Sequence, residues 1–406
     1  MNLTNWRVCD ASGRTKLHWA AYKNDWDDVP AELFGTEDWL RLDLEGGSPF
    51  ALAVATGRVE FLPRTLFTKE NLCKVFNSEV PLQSAARQGG MRHLPSWVFA
   101  DENIMLAEDQ YANTGLHWAA FYGWLHLVPA VVLSRENLLR ENKFGYTVAH
   151  SAAHGGSLGS VPLGIVGEMA DRRTALGESF VFLAANSGKL DKLPPSLVTV
   201  ESLMCCSTDA AKVHSDDLTI SFSSGGLTAL HVAAIRGKLG QLPAAVLAGL
   251  TEAHLSVRSQ SHDLSFNSSD KDMDSRCVGW TVLGAAARVS NLKAVPAALV
   301  TVDRLLDRCG ANTPMHIAAA STQLGDLPDG IVSSLVGEQL MMRSARGNTV
   351  LHAAVEGGSL DYFLGVSLPE AAKDIVGDDW WEKNCSIIRD KGDLGVESEG
   401  AYIDLF

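Results

Sequence analysis

Polar caps and short apolar runs alternate along this chain with a fixed spacing. Asn113 to Leu139 shows the unit clearly: NTGLHWAAFYGWLHLVPAVVLSRENLL. A polar Thr114 opens an apolar run with a paired alanine, a glycine ends it, and a second apolar run passes through Pro129 to Ser134. With Thr114 as position zero, the same frame fits Thr15, Ser48, Val80, Thr147, Ser179, Thr228, Thr281, Thr313 and Thr349. The intervals are 33, 32, 34, 33, 32, 49, 53, 32 and 36 residues, which makes ten repeats of which two are lengthened. A period in this range marks a stack of supersecondary units rather than separate domains.

Each position in the frame predicts a local structure. Thr or Ser at position zero caps a helix by accepting a backbone N–H. Proline next to it (Pro49, Pro81, Pro314) suits the first turn, where no N–H is needed. The alanine pair, as in Ala119-Ala120, lets neighbouring helices approach, and glycine at position nine (Gly57, Gly89, Gly123) gives a left-handed stop. Nine repeats carry proline at position fifteen, from Pro30 and Pro63 to Pro296 and Pro328. An interior proline costs about 3 kcal/mol, so a second helix is predicted to begin there, with proline in its first turn. Five residues later come Thr68, Ser134, Thr199 and Thr301, each with an acid two residues on, which reads as another helix start. Each repeat is therefore predicted as helix, short helix and an extra helical turn.

The segments Thr228-Ala-Leu-His231-Val-Ala-Ala and Thr313-Pro-Met-His316-Ile-Ala, recurring in register, resemble the ankyrin repeat over roughly Gly13 to Leu364. The resemblance implies an all-α, ankyrin-like α-solenoid of about ten helical repeats, acting as a non-enzymatic scaffold that binds a protein partner through its concave face. Its recognition rows, carried onto this sequence, give Gln110, Tyr111, Asn113, Phe121 and Tyr122 in the fourth repeat. The fifth repeat gives Lys143, Phe144, Tyr146 and His154, and the eighth gives Trp280 and Arg288. The clustering of aromatics in the fourth and fifth repeats, in a chain only 7% aromatic, suits an interface hot spot. Trp19 and Trp118, at position four, are expected in the core. The repeated proline departs from the family pattern and leaves open whether its finger-like hairpins are retained.

Residues 1–12 read as a lead and 365–406 as a capping helix with an acidic tail. Ser367-Leu-Pro-Glu370 is the expected start of that helix. The lengthened repeats place Ser- and Asp-rich insertions near 205–225 and 256–278, whose similar segments at 217–224 and 263–269 are expected either to pair as a β-ribbon or to be disordered. The insertions form a second candidate binding surface.

A net charge of −14 argues against nucleic acid as a partner and suggests that outer rows face basic partners. Seven scattered cysteines suit a reducing compartment. The N-terminus lacks a secretory layout, and no apolar run reaches the length of a membrane span. A monomeric cytoplasmic protein is the expectation, with export as an effector left open.

Candidate chemistry is thin, and no cofactor is expected. Six histidines at position three (His18, His117, His150, His231, His316, His352) read as structural partners of the capping threonine, not as a metal array. Gly155-Gly-Ser157-Leu-Gly159 matches a nucleophile elbow in letters, yet falls on an inter-helix turn. Asp270, Asp272 and Asp274 have calcium-loop spacing without the required glycine and closing glutamate. Cys205-Cys206 with His214 lacks a second ligand pair for zinc. The alternatives to a scaffold are a metal-dependent or enzymatic role for the insertions, or a purely structural spacer.

Overall fold

The computed structural model describes residues 3–34, 37–73, 80–206, 226–259 and 279–393. The β-ribbon, calcium-loop and His214 expectations, and the tail after residue 393, lie outside these residues. Contacts divide the chain into two compact units, Met1–Ser223 and Ser224–Phe406.

A helix follows the cap in every frame. Unit one holds α1 (Lys16–Lys23), α2 (Pro49–Thr56), α3 (Pro81–Gln88), α4 (Gly115–Phe121), α5 (Val148–Gly155) and α6 (Phe180–Ser187). Unit two holds α7 (Ala229–Ile235), α8 (Val282–Arg288), α9 (Pro314–Ala320), α10 (Val350–Gly357) and α11 (Asp378–Asp393). Within each unit, successive helices from α1 to α6 and from α7 to α10 pack side by side. The alanine pairs make this possible: Ala119, Ala120, Ala152, Ala153, Ala318 and Ala319 are all fully buried. Helices this short are not stable alone, so burial against neighbours holds them.

Position nine is left-handed in all ten frames, through glycine in seven and through Asn24, Ser290 and Thr322 (φ 58°, 57° and 58°) in three. A β-branched residue is strained there. Thr322→Gly is expected to raise stability by about 1 kcal/mol, read as a higher urea midpoint; an unchanged or lower midpoint would show that the site carries no strain.

The second half of each repeat corrects one detail of the sequence reading. Pro129 and Pro328 open turns. In the other seven frames proline stands just before the second helix, as its N-cap, with Pro95, Pro162 and Pro296 at φ −57°, −55° and −54° and extended ψ. There its carbonyl accepts the first turn's hydrogen bond, as in Val98 N–H to Pro95 O (2.9 Å) and Leu299 N–H to Pro296 O (2.8 Å), and its missing N–H costs nothing. The following turns are 3₁₀ or α, for example Ser96–Ala100, Leu163–Glu168 and Ala297–Leu299. The extra helix is present as expected in Lys69–Cys73, Arg135–Leu138, Val200–Met204 and Val302–Leu306. Ser134 and Thr199 cap their helices by accepting the N–H of Asn137 (3.2 Å) and Ser202 (3.1 Å).

Tight turns precede the caps and retain the hairpin closure. Asp109 N–H donates to Asn113 O, and Asn142 N–H to Tyr146 O, each at 2.9 Å. Lone bridges Glu108↔Thr114, Glu141↔Thr147 and Arg343↔Thr349 stand in place of strands among the described residues. Neighbouring turns are tied together by Lys143 N–H to Tyr111 O (2.9 Å) and Ala175 N–H to Phe144 O (3.0 Å).

Ser367 does not begin a helix. A 3₁₀ turn starts at Glu370 behind Pro369, Lys373–Val376 follows, and Gly377 (φ 82°, ψ 158°) breaks the path before α11. Asn384 on α11 is buried, accepting from Gly365 N–H (2.6 Å) and donating to Val366 O (3.0 Å).

Candidate functional site

The capping threonines and their histidines form a repeated buried latch. Thr114 Oγ1 lies 2.8 Å from His117 Nδ1, and Thr228 Oγ1 2.8 Å from His231 Nδ1. The backbone N–H of Thr114 also donates to His117 Nδ1 (3.1 Å), so Nδ1 is the acceptor and the proton sits on Nε2. From there His117 donates to Tyr146 O (3.1 Å) and His316 to Asn348 O (3.2 Å), reaching the turn of the next repeat. Burial pushes His117, His150 and His231 down to about 4, and lowers His18 and His316 in the same direction. These rings are neutral fastening groups. Among the described residues, no three His, Cys, Asp or Glu side chains gather as a metal site would require.

The expected recognition residues separate into three kinds. On the turns, Tyr111 and Phe144 face each other at 5.8 Å, half-buried, beside exposed Gln110 and Lys143. At the far ends of α4 and α5, Phe121 packs edge-on against Tyr122 (4.9 Å) and His154 (4.7 Å). The two groups stand at opposite ends of the seven-residue helix α4, about 10 Å long. In unit two, Arg288 lies over the Trp280 ring at 5.7 Å.

The third kind is structural. Asn113 is buried, with its amide donating to Asp109 Oδ2 (3.2 Å) and its oxygen accepting from Asn142 (2.7 Å). Its side chain is spent on the turns, which corrects its assignment to a contact row. Tyr146 donates its hydroxyl to buried Glu178 (2.5 Å), and Thr174 Oγ1 donates to the same carboxylate (3.2 Å). Burial first, then Glu178, pushes the Tyr146 phenol up, while burial raises the Glu178 carboxyl. Tyr146 thus holds two repeats together and presents little to a partner.

Trp19 departs from expectation in the opposite sense. Trp118 is buried as expected, whereas Trp19 is 38% exposed beside Tyr22 at 57%. The two rings meet edge to face at 6.2 Å, with Arg14 and Lys23 over the indole. In the first frame the four-residue helix Thr4–Arg7 precedes α1, and Trp19 stays partly exposed with its indole N–H donating to Asp10 (3.0 Å).

Two devices were not read from the sequence. Asp10, Asp43, Asp109 and Asn142, five residues before the cap, each accept two turn N–H groups, as Asp109 does from Tyr111 and Asn113 at 2.8 Å. Their recurrence in register was the available signal. Position ten donates to the preceding repeat's position-six carbonyl: Trp124 Nε1 to Ala86 O (2.8 Å), Ser157 Oγ to Ala120 O (2.5 Å) and Ser359 Oγ to Ala319 O (2.6 Å). That role passes between chemically different side chains, so no residue pattern announces it.

No family model matches the chain, and no curated protein matches it. Among solved structures it is similar to the human ASB11 ankyrin repeat domain, with 19% identity and a TM-score of 0.42, over 63% of this chain and 99% of that one.

Proposed function

We propose that the chain is a non-enzymatic protein-binding module whose principal contact surface lies on the fourth and fifth repeats. The observation that carries this reading is the half-buried ring set Tyr111, Phe144, Phe121, Tyr122 and His154, held on turns braced by their own side-chain hydrogen bonds and on the ends of α4 and α5. Rigid aromatic side chains on a preformed scaffold bury large areas on binding at low entropic cost. Gln110 and Lys143 supply polar contacts at the rim, and Trp280 with Arg288 forms a further contact pair on unit two.

The test compares capture of partners from native extract by wild type and by a Tyr111→Ala/Phe121→Ala/Tyr122→Ala/Phe144→Ala variant of matched helical content. A partner held by wild type and weakened at least about tenfold in the variant is expected, since hot-spot rings contribute about 1–2 kcal/mol or more each. Equal retention of every partner would rule the surface out.

A further inference from the structure

In a chain of net charge −14, one edge carries the opposite sign. The edge consists of positions seven to thirteen, where each first helix ends and a 3₁₀ turn follows. In the third to sixth frames these positions hold Arg87 and Arg92 in the third and Lys189 and Lys192 in the sixth, with His93, His126 and His154, against a single acid, Asp191. Arg87, Arg92, Lys189 and Lys192 are all exposed, and Asp191 is paired with Lys192 at 3.2 Å. The seventh and eighth frames of unit two repeat the bias with Arg236, Lys238, Arg288 and Lys293 and no acid.

Helix C-termini attract cations, but that does not account for the row. In the same register the first, ninth and tenth frames are net acidic, with Asp25, Asp27 and Asp28 against Lys23, then Asp326, Glu356 and Asp361, while the second balances Arg58 with Glu60. The sign therefore varies by place in the chain, while the helix dipole is the same throughout.

In unit one the row falls into two linked stretches, the second to fourth frames and the fifth to sixth, since a Cβ at Gly123 would meet nothing within 4 Å. A Cβ placed at Gly57 would fall 2.5 Å from the His93 ring, at Gly89 3.9 Å from Trp124, and at Gly156 3.2 Å from Lys189. Each of these side chains lies across the left-handed glycine of the preceding repeat. Trp124, its indole N–H fixed on Ala86 O, and Tyr122 put aromatic surface in the fourth frame, between the Arg87–Arg92 pair of the third and the Lys189–Lys192 pair of the sixth.

We propose that this edge of unit one binds an acidic, aromatic-containing segment of a partner protein, with Arg87, Arg92, Lys189 and Lys192 meeting its carboxylates and Tyr122 and Trp124 its rings. The inference rests on the protein-binding reading above and assigns the partner's chemistry. Charge complementarity selects the occupant: oppositely charged patches steer encounter and set orientation, and the acidic surface elsewhere repels the same segment.

The test uses the full chain and a fluorescein-labelled synthetic peptide of alternating glutamate and tyrosine, followed by polarisation at low and high salt. Arg87→Glu/Lys189→Glu is expected to weaken binding at least about tenfold, and salt to weaken the wild type. A control with the same charge change elsewhere on unit one, Lys16→Glu/Lys69→Glu, is expected to stay within about twofold. Helical content is compared for all three proteins. No peptide binding, equal loss in both variants, or tighter binding of single-stranded polyuridylate than of peptide would overturn the inference. If the peptide fails while wild type still captures a partner that the aromatic variant loses, the inference falls and the protein-binding reading stands.

Discussion

Lowering the pH from 7 to 5 is expected to destabilise both units steeply, through their buried histidines. His117, His150 and His231 are held near 4 by burial, against 6.5 for a free imidazole. The unfolded chain therefore takes up these protons first, so stability is complete above about pH 6.5 and is lost as pH falls toward 4. Each such ring contributes about 2 kcal/mol of loss between pH 7 and 5, which makes about 4 kcal/mol for His117 and His150 in unit one and about 2 for His231 in unit two. His18 and His316 act in the same direction. For His117 the structural reason is the latch: Nδ1 accepts from the threonine and Nε2–H donates to a carbonyl, and a second ring proton would face donors. For His150, whose Nε2 makes no such bond, burial is the cause. Urea midpoints across this pH range measure the slope. His117→Gln/His150→Gln should flatten it for unit one, because glutamine at the third helical position can serve the same capping box without titrating. A slope unchanged by those substitutions would remove the histidines as its cause.

The second large effect is expected at Gly155. A Cβ there would lie 2.0 Å from Phe121 O and 2.5 Å from Phe121 C, both backbone atoms of α4. Nothing flexible can move aside, so Gly155→Ala must push α5 from α4 and is expected to cost about 1–3 kcal/mol. Gly357 meets Ala319 O at 2.4 Å in the same register on α10 and should behave alike. Gly159→Ala, with nothing within 4 Å, is the control and should stay within about 0.5 kcal/mol. The displaced Phe121 should also reduce partner capture. Equal midpoints for Gly155→Ala and Gly159→Ala would contradict the close packing of these helices.

The sequence announced what depends on one residue and its near neighbours. Threonine caps, the left-handed position nine and the breaks at Pro95 and Pro162 are local conformational demands, and they recur in register. What depends on the neighbouring repeat was not legible. Tyr146 occupies a recognition position, yet its hydroxyl finds Glu178 thirty-two residues away. Asn113 is absorbed by Asn142 in the same manner. Trp19 and Trp118 share a position and differ in burial. The aromatic cluster was legible as composition, but its division between turns and helix ends follows from the length of α4.

The edge of opposite charge was open to sequence reading once the frame was set, because net charge averages over rows that face different ways. Positions seven to thirteen change sign from Asp25 to Arg87 and again from Lys293 to Asp326. Summed over the whole chain, that segregation disappears.

The central claim is that a partner occupies the turn and helix-end surface of the fourth and fifth repeats. Amide hydrogen exchange of the full chain, with and without the captured partner, tests it most directly. The account predicts slowed exchange in 110–112, 119–124 and 143–145, with the third-helix segments Arg135–Leu138 and Val200–Met204 unchanged. Protection confined to those third-helix segments, with the aromatic segments exchanging as in the free protein, would contradict it.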